Sequence, residues 1–146
     1  MKIHLKRIDD SMGMEAEDES GHKVRMDSSA EHGGHGKGMR PMQMLLMGLG
    51  GCTSIDVVSI LKKQKQPLDD LKITIDGDRE PGVEPSLWKK VRIQFQLEGA
   101  IDPGKAERAV ELSMMKYCSV AETLRRAGAD ITWEVQVVHP SLPIKP

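Results

Sequence analysis

The stretch from Pro41 to Lys65 constrains the fold most, because it is the long apolar segment of a chain of only 146 residues. Proline suits the first position of a helix, since its missing N–H group is a donor that would go unused there. The first half of the helix is apolar on nearly every side, while Lys62, Lys63 and Lys65 suit the negative end of its dipole and Pro67 ends it soon after. A helix that is apolar all round is a buried one. The first half of this helix is therefore predicted to lie in the core.

The other segments supply mostly strands. Apolar and polar residues alternate in six segments, at residues 2–8, 12–17, 22–27, 71–75, 91–97 and 131–137. The segment from Ser28 to Met39 is rich in glycine and lacks periodicity, which predicts a loop. Asp102 and Pro103 predict the start of a second helix, which keeps its apolar spacing as far as Leu124 and is capped by Gly128.

The predicted order is β-β-β-α-β-β-α-β, in a single domain over residues 1–146 that ends in a short tail with Pro140 and Pro143. Strands and helices do not alternate as in a doubly wound parallel sheet, so we expect an α+β fold with two central helices packed against antiparallel sheets. The chain contains only four aromatic residues, and its ten methionines partly replace them in the core. A core this small is expected to be completed by a partner subunit in a homodimer.

Charge and hydropathy limit the classes of function. The 21 basic and 22 acidic residues form no basic stripe, which argues against nucleic acid as a partner. No window approaches the roughly 20 apolar residues of a membrane span, and the segment from Met1 to Arg7 alternates like a strand, unlike a signal peptide. We therefore expect a cytoplasmic protein with no membrane contact. Cysteines in that compartment are more often catalytic, metal-bound or inert than held in a structural disulfide.

Cys52 lies eleven residues into the first predicted helix, directly after Gly48-Leu49-Gly50-Gly51. Each glycine costs about 1 kcal/mol relative to alanine inside a helix, so the run needs a reason. Either neighbouring helices pack closely there, or the glycines leave room for a substrate beside the sulfur. The helix dipole does little at this depth and Asp56, one turn on, opposes ionisation, so a reactive thiol needs a cation. Arg25 and Arg40 are the candidates.

Cys118 lies in the second predicted helix. Two buried helices packed side by side could bring its sulfur within disulfide reach of Cys52, which is the layout of an attacking and a resolving thiol. Two buried, inert cysteines are the other reading. His32 and His35 add zinc-binding ligand types, but they lie in a flexible loop and no CxxC motif accompanies them. A solvated loop explains these histidines better, and we expect no metal.

Three segments around the cysteines resemble the OsmC/Ohr family of osmotically induced and organic-hydroperoxide-resistance proteins, most of all its YhfA-like branch. They are residues 41–53, 55–61 and 116–120, within a resemblance that runs from about Met14 to Val138. The resemblance implies an intertwined homodimer with its active sites at the subunit interface and no bound cofactor.

The resemblance also implies an enzyme that reduces organic hydroperoxides, in which Cys52 attacks, Cys118 resolves and a dithiol such as a dihydrolipoyl group restores the thiols. Peroxidase members carry a glutamate just after the helix-opening proline, where this chain has Met42 and Gln43. Their N-terminal arginine motif is absent as well, so Arg25 or Arg40 is expected to take that role. The alternative is a non-catalytic relative that binds a small apolar or thiol-reactive ligand at the dimer interface. An RNA-binding module of the KH type ranks last, because the chain lacks the GxxG loop of that fold.

Overall fold

The structure is a computed structural model that describes residues 1–139, so the tail with Pro140 and Pro143 lies outside the described residues. The chain divides into two compact units, of which the first is Met1–Met47 and the second begins at Gly48. The assignment of the whole chain to a single domain stays a prediction.

The first unit contains the three strands that the sequence predicts, arranged as an antiparallel meander. Its strands are β1 (Ile3–Arg7), β2 (Met14–Asp18) and β3 (Lys23–Met26), in that order in the sheet. The buried Asp27 follows β3, and its carboxylate accepts hydrogen bonds from the backbone N–H groups of Ser28, His35 and Lys37. These bonds hold the glycine-rich loop against a single side chain.

The second unit contains a sheet of three strands, β4 (Asp70–Arg79), β5 (Trp88–Glu98) and β6 (Asp130–Val138), in the order β4-β5-β6. β4 and β5 pair antiparallel, but β5 and β6 run parallel. The prediction of purely antiparallel sheets is therefore wrong for β6. The helical connection between β5 and β6 carries the chain back along the sheet, so that β6 starts at the same end as β5. The α+β class itself is confirmed.

One face of this sheet is apolar and carries the helices. Val91, Ile93, Phe95 and Leu97 of β5 are all buried, and every second residue between them is more exposed. α1 (Pro41–Lys63) approaches β4 so closely that a Cβ atom added to Gly50 would lie 3.1 Å from Cδ1 of Ile75. The helices of the second helical region contact β6.

That second helical region is broken where the sequence predicts one continuous helix. It consists of α2 (Pro103–Leu112), a π turn (Ser113–Tyr117) and α3 (Ser119–Arg126). The Asp102 side chain caps α2 as predicted, accepting a hydrogen bond from the N–H of Lys105. The Cys118 backbone is extended, with φ −71° and ψ 102°, and this conformation interrupts the helix between the π turn and α3.

α1 is less buried than its composition predicts. Its buried residues form a single stripe at every fourth position: Leu49, Thr53, Val57 and Leu61. On another side Ile55 is 71% exposed, so the prediction of a helix buried all round is wrong for the single chain. The helix also has the length and the mean hydropathy, 1.8, of a membrane span, although the sequence was predicted to contain no segment of that kind. Core helices of soluble proteins meet the same criteria, and the buried stripe shows that one side of α1 packs inside the protein.

Candidate active site

The two cysteines meet in the second unit. Cys52 on α1 is half-buried, Cys118 at the start of α3 is 3% exposed, and both are free thiols. The two sulfur atoms and a carboxylate oxygen of Asp56 all lie within 4.8 Å of one another. The structure therefore brings together the two thiols that the sequence singles out.

The break in the second helical region positions Cys118. Its backbone N–H donates to the carbonyl of Ser113 at 2.8 Å, a bond that spans five residues and closes the π turn. Its sulfur then caps α3, accepting the N–H of Ala121 at 3.3 Å. A sequence signal near this helix start is Ser119 with Glu122 three residues later, the spacing of a capping box, but in the structure Cys118 is the N-cap and Ser119 is the first helical residue.

Burial sets the protonation state of Cys118. Burial first, and then the hydrogen bond with Cys52, raise the pKa of this thiol, the N–H of Ala121 opposes them, and the net pKa is about 11. The Cys118 thiol is therefore protonated at neutral pH. Of the two sulfurs, the less buried one, on Cys52, is better placed to react first.

Asp56 and Ser113 complete the cluster, and sequence reasoning did not foresee their contact. The hydroxyl of Ser113 donates to the carboxylate of Asp56 at 2.9 Å, and Ser113 is fully buried. Because the carbonyl of Ser113 also accepts the N–H of Cys118, this serine ties the side chain on α1 to the backbone that holds the second thiol. Serine and aspartate 57 residues apart carry no local signal in the sequence.

The structure places the three glycines before Cys52 in different surroundings. Gly50 allows close packing, but its neighbour is strand β4, whereas the sequence suggested packing against another helix. A Cβ atom added to Gly48 or Gly51 would meet nothing within 4 Å. Among the described residues, neither of these two glycines is needed for close packing, and their role in leaving room for a substrate stays a prediction.

Comparison with known proteins now identifies the family. The sequence profile described as "OsmC-like protein" matches residues 34–134, more than half of the chain. The chain belongs to the OsmC-like family. It is 38% identical over 123 residues to Protein YhfA of Escherichia coli K12, covering 84% of this chain and 87% of that protein.

Solved structures of OsmC-like shape agree with this assignment. A hypothetical protein from Aquifex aeolicus is 29% identical, with a TM-score of 0.77 over 94% of this chain and 96% of that one. An organic hydroperoxide resistance protein OsmC from Legionella pneumophila shares the fold at 19% identity, with a TM-score of 0.66 over 94% of this chain and 98% of that one. The α+β architecture is therefore that of OsmC-like proteins.

The arginines proposed to activate the OsmC-like thiol belong to the first unit. Arg25 on β3 is exposed, and its guanidinium lies 3.5 Å from the carboxylate of Asp9. Arg40 directly precedes α1, and its backbone N–H donates to the side-chain oxygen of Gln43 at 3.0 Å. Gln43 therefore caps the helix at a position where peroxidase members of the family are expected to carry an acid. The action of either arginine on Cys52 stays a prediction.

Two groups of side chains offer metal-ligand atoms in this OsmC-like chain: Cys52, Asp56 and Cys118, and Asp9, Asp10 and His35. In the first, a metal would have to displace the proton of Cys118. In the second, Asp9 already accepts the N–H groups of Ser11 and Gly13. His32, considered as a zinc ligand from the sequence, bonds to Ser29 through its ring nitrogen at 2.8 Å. We assign no metal to either group.

Proposed function

We propose that this protein is a thiol-dependent peroxidase that reduces organic hydroperoxides, with Cys52 as the attacking and Cys118 as the resolving thiol. The observation that carries the proposal is the approach of the two sulfurs to within 4.8 Å across two helices. Family membership supports it, since a relative of the same fold is an organic hydroperoxide resistance protein. The difference in burial between the two thiols supports this order.

The reaction requires two steps at sulfur. The Cys52 thiolate attacks one peroxide oxygen, the O–O bond breaks, and the other oxygen takes a proton and leaves as an alcohol. Cys52 is then a sulfenic acid. The Cys118 sulfur attacks this sulfur, a disulfide forms, and the hydroxyl leaves as water. Because the sulfurs are near neighbours, the second step needs only a small shift of either helix.

Regeneration needs an external dithiol. Two exchange steps return both cysteines to thiols while the reductant becomes a disulfide. A surface concavity of about 320 Å³ reaches Cys118, and its lining includes Lys116, Tyr117 and Arg126. We propose this concavity as the path by which the reductant approaches the disulfide.

Activation of Cys52 is proposed to come from Arg25 or Arg40, since a nearby cation favours the thiolate. No acidic residue stands in the first turn of α1 to orient such an arginine. Gln43 can accept hydrogen bonds but carries no charge. We therefore expect slower thiol chemistry than in members that carry the glutamate.

The active form is proposed to be a cytoplasmic homodimer. In the second unit Ile55, Val58 and Met115 expose 71%, 43% and 63% of their surfaces, and in the first unit Ile3 and Leu5 each expose 55%. Apolar side chains exposed in such number suit burial by a second copy, at about 1.5–3 kcal/mol for each fully buried large side chain.

The test is oxidation of the reduced protein with less than one equivalent of an alkyl hydroperoxide, followed by intact mass. The wild type should lose two hydrogen atoms as the disulfide forms. Cys118→Ser should gain one oxygen atom as a sulfenic acid on Cys52, which dimedone then traps. Cys52→Ser should remain unchanged, which serves as the matched control. If Cys52 does not react with the hydroperoxide and the protein nevertheless binds an apolar ligand beside it, the non-catalytic alternative would be favoured instead.

A further inference from the structure

Closing the proposed disulfide poses a proton problem that the site must solve. The Cys118 thiol has to lose a proton, yet burial holds the pKa of that thiol at about 11. At about pH 7 this leaves roughly one molecule in 10⁴ as thiolate. On the other side of the reaction, the hydroxyl of oxidised Cys52 departs readily only as water. One proton must therefore travel from the second sulfur to the oxygen on the first.

Asp56 is the ionisable group placed between these two positions. Its carboxylate oxygen lies within 4.8 Å of both sulfurs, a distance that one bridging water spans. The fully buried Ser113 donates a hydrogen bond to this carboxylate at 2.9 Å, and its carbonyl holds the N–H of Cys118. The carboxylate and the resolving thiol are thus fixed to a single residue.

The cationic groups around Cys118 are engaged elsewhere. Lys116 lies over the ring of Tyr117, 5.3 Å from its centroid, while Arg125 and Arg126 both pair with Glu122. Arg125 also donates to the carbonyl of Met114. Among residues 48–139, Asp56 forms no ion pair with any of these side chains.

We propose that Asp56 relays the proton from the Cys118 thiol to the hydroxyl that leaves oxidised Cys52, and that Ser113 is the positioning residue that holds Asp56 for this step. The inference rests on the proposed peroxidase function. In the step, the S–H bond of Cys118 and the S–O bond of Cys52 break, and an S–S bond forms. The carboxylate takes one proton and gives one back, so it ends the step unchanged and one water is released.

The relay predicts opposite effects of one substitution on two reactions of Cys118. Asp56→Asn removes the relay, so closure onto the sulfenic acid should slow by about 100-fold at about pH 7. Attack on a 5-thio-2-nitrobenzoate group attached to Cys52 expels a stable thiolate, so no proton has to reach the leaving group and the rate depends only on the fraction of Cys118 present as thiolate. Because the substitution removes a negative charge beside the attacking sulfur, this exchange should be as fast as in the wild type or faster.

The pH profile provides a second readout. Wild-type closure should change little between about pH 6 and 9, because the Cys118 thiol stays protonated there and the relay does not depend on its rare thiolate. Closure in Asp56→Asn should instead rise with pH, as it depends on the rare Cys118 thiolate. Asp56→Glu should restore part of the flat profile, whereas Ser113→Ala should slow closure and keep the profile flat.

The experiment follows single turnovers with an alkyl hydroperoxide by quenched flow and intact mass, with a chelator present, and follows nitrobenzoate release by absorbance. Glu107→Gln, on the exposed face of α2, is the control and should match the wild type. Absence of a dimedone adduct on Cys118→Ser would overturn the peroxidase function and the relay with it. Two results would overturn the relay alone, provided that Cys118→Ser does form the dimedone adduct. The first is closure at the wild-type rate in Asp56→Asn. The second is equal slowing of closure and of nitrobenzoate release in that variant. If Asp56→Asn fails to fold, the profiles of Asp56→Glu and Ser113→Ala decide between the same outcomes.

Discussion

The contact between Ser113 and Asp56 makes a measurable prediction about stability. Ser113→Ala removes a hydroxyl that is fully buried and that donates to a carboxylate at 2.9 Å. Hydrogen bonds to charged groups contribute about 1.5–3 kcal/mol, and water can replace part of the loss because Asp56 is only half-buried. We therefore expect the free energy of unfolding to fall by about 1–2 kcal/mol, which lowers Tm by about 2–4 °C for each kcal/mol.

A double-mutant cycle tests whether this loss belongs to the contact. Urea unfolding of the wild type, Ser113→Ala, Asp56→Asn and the double variant should be compared at one protein concentration, because assembly also affects stability. We expect a coupling energy of roughly 1 kcal/mol, within the range found for directly bonded pairs. Ser59→Ala, an exposed serine on the same helix as Asp56, is the control and should change stability by less than about 0.5 kcal/mol. Additive losses from the two substitutions would refute the reasoning.

Three further predictions concern assembly, the glycine-rich loop and activation. Ile55→Asp places a charge where a second copy is proposed to bind and should weaken the dimer by about 2 kcal/mol or more, so an unchanged mass in light scattering at micromolar concentration would count against that interface. Backbone N–H groups lower the pKa of the Asp27 carboxyl below its ordinary 3.8; that of Lys37 has the largest effect, and those of Ser28 and His35 add to it. The Asp27 carboxylate should therefore support the loop above pH 3.8, and this support should be lost as the pH falls through the lowered pKa. Asp27→Asn should therefore expose amides 28–37 to hydrogen exchange already at neutral pH, and protection equal to the wild type would contradict this role. Arg25→Met and Arg40→Met test activation. The variant that removes the activating cation should slow alkylation of Cys52 roughly tenfold at about pH 7 and little at about pH 10. Wild-type alkylation rates in both variants would exclude activation by either arginine.

Periodicity predicted most elements of this fold, because apolar and polar residues alternate along the strands and the starts of α1 and α2 carry local chemical signals. Asp102 caps α2, and β5 has the expected alternation of buried and exposed residues. Alternation within a strand does not reveal its direction relative to a neighbour, so the parallel pairing of β6 with β5 could not be read from the sequence.

The candidate site was predicted in part. The two cysteines were recognised by residue type and by family resemblance, and the structure brings them together. The break before Cys118 was missed, because Met114, Ala121 and Leu124 keep a helical spacing across it and neither glycine nor proline marks it. The role of Ser113 depends on a contact between distant segments, and apolar composition alone could not show that Ile55 faces outward in a single chain.

The π turn gives the pairing of the two thiols an unusual dependence on chain length. Its hydrogen bond from Cys118 to Ser113 encloses one residue more than an α-helical bond does, so the turn is equivalent to a single-residue insertion in a helix. Removing one residue between them would permit ordinary helical bonding, but it would rotate everything that follows by about 100° around the helix axis. The sulfur of Cys118 would then face away from Cys52, although the chain would still contain both cysteines, Asp56 and Ser113. Among homologues, a single-residue gap in this segment would therefore separate chains that can close the disulfide from chains that merely contain both cysteines.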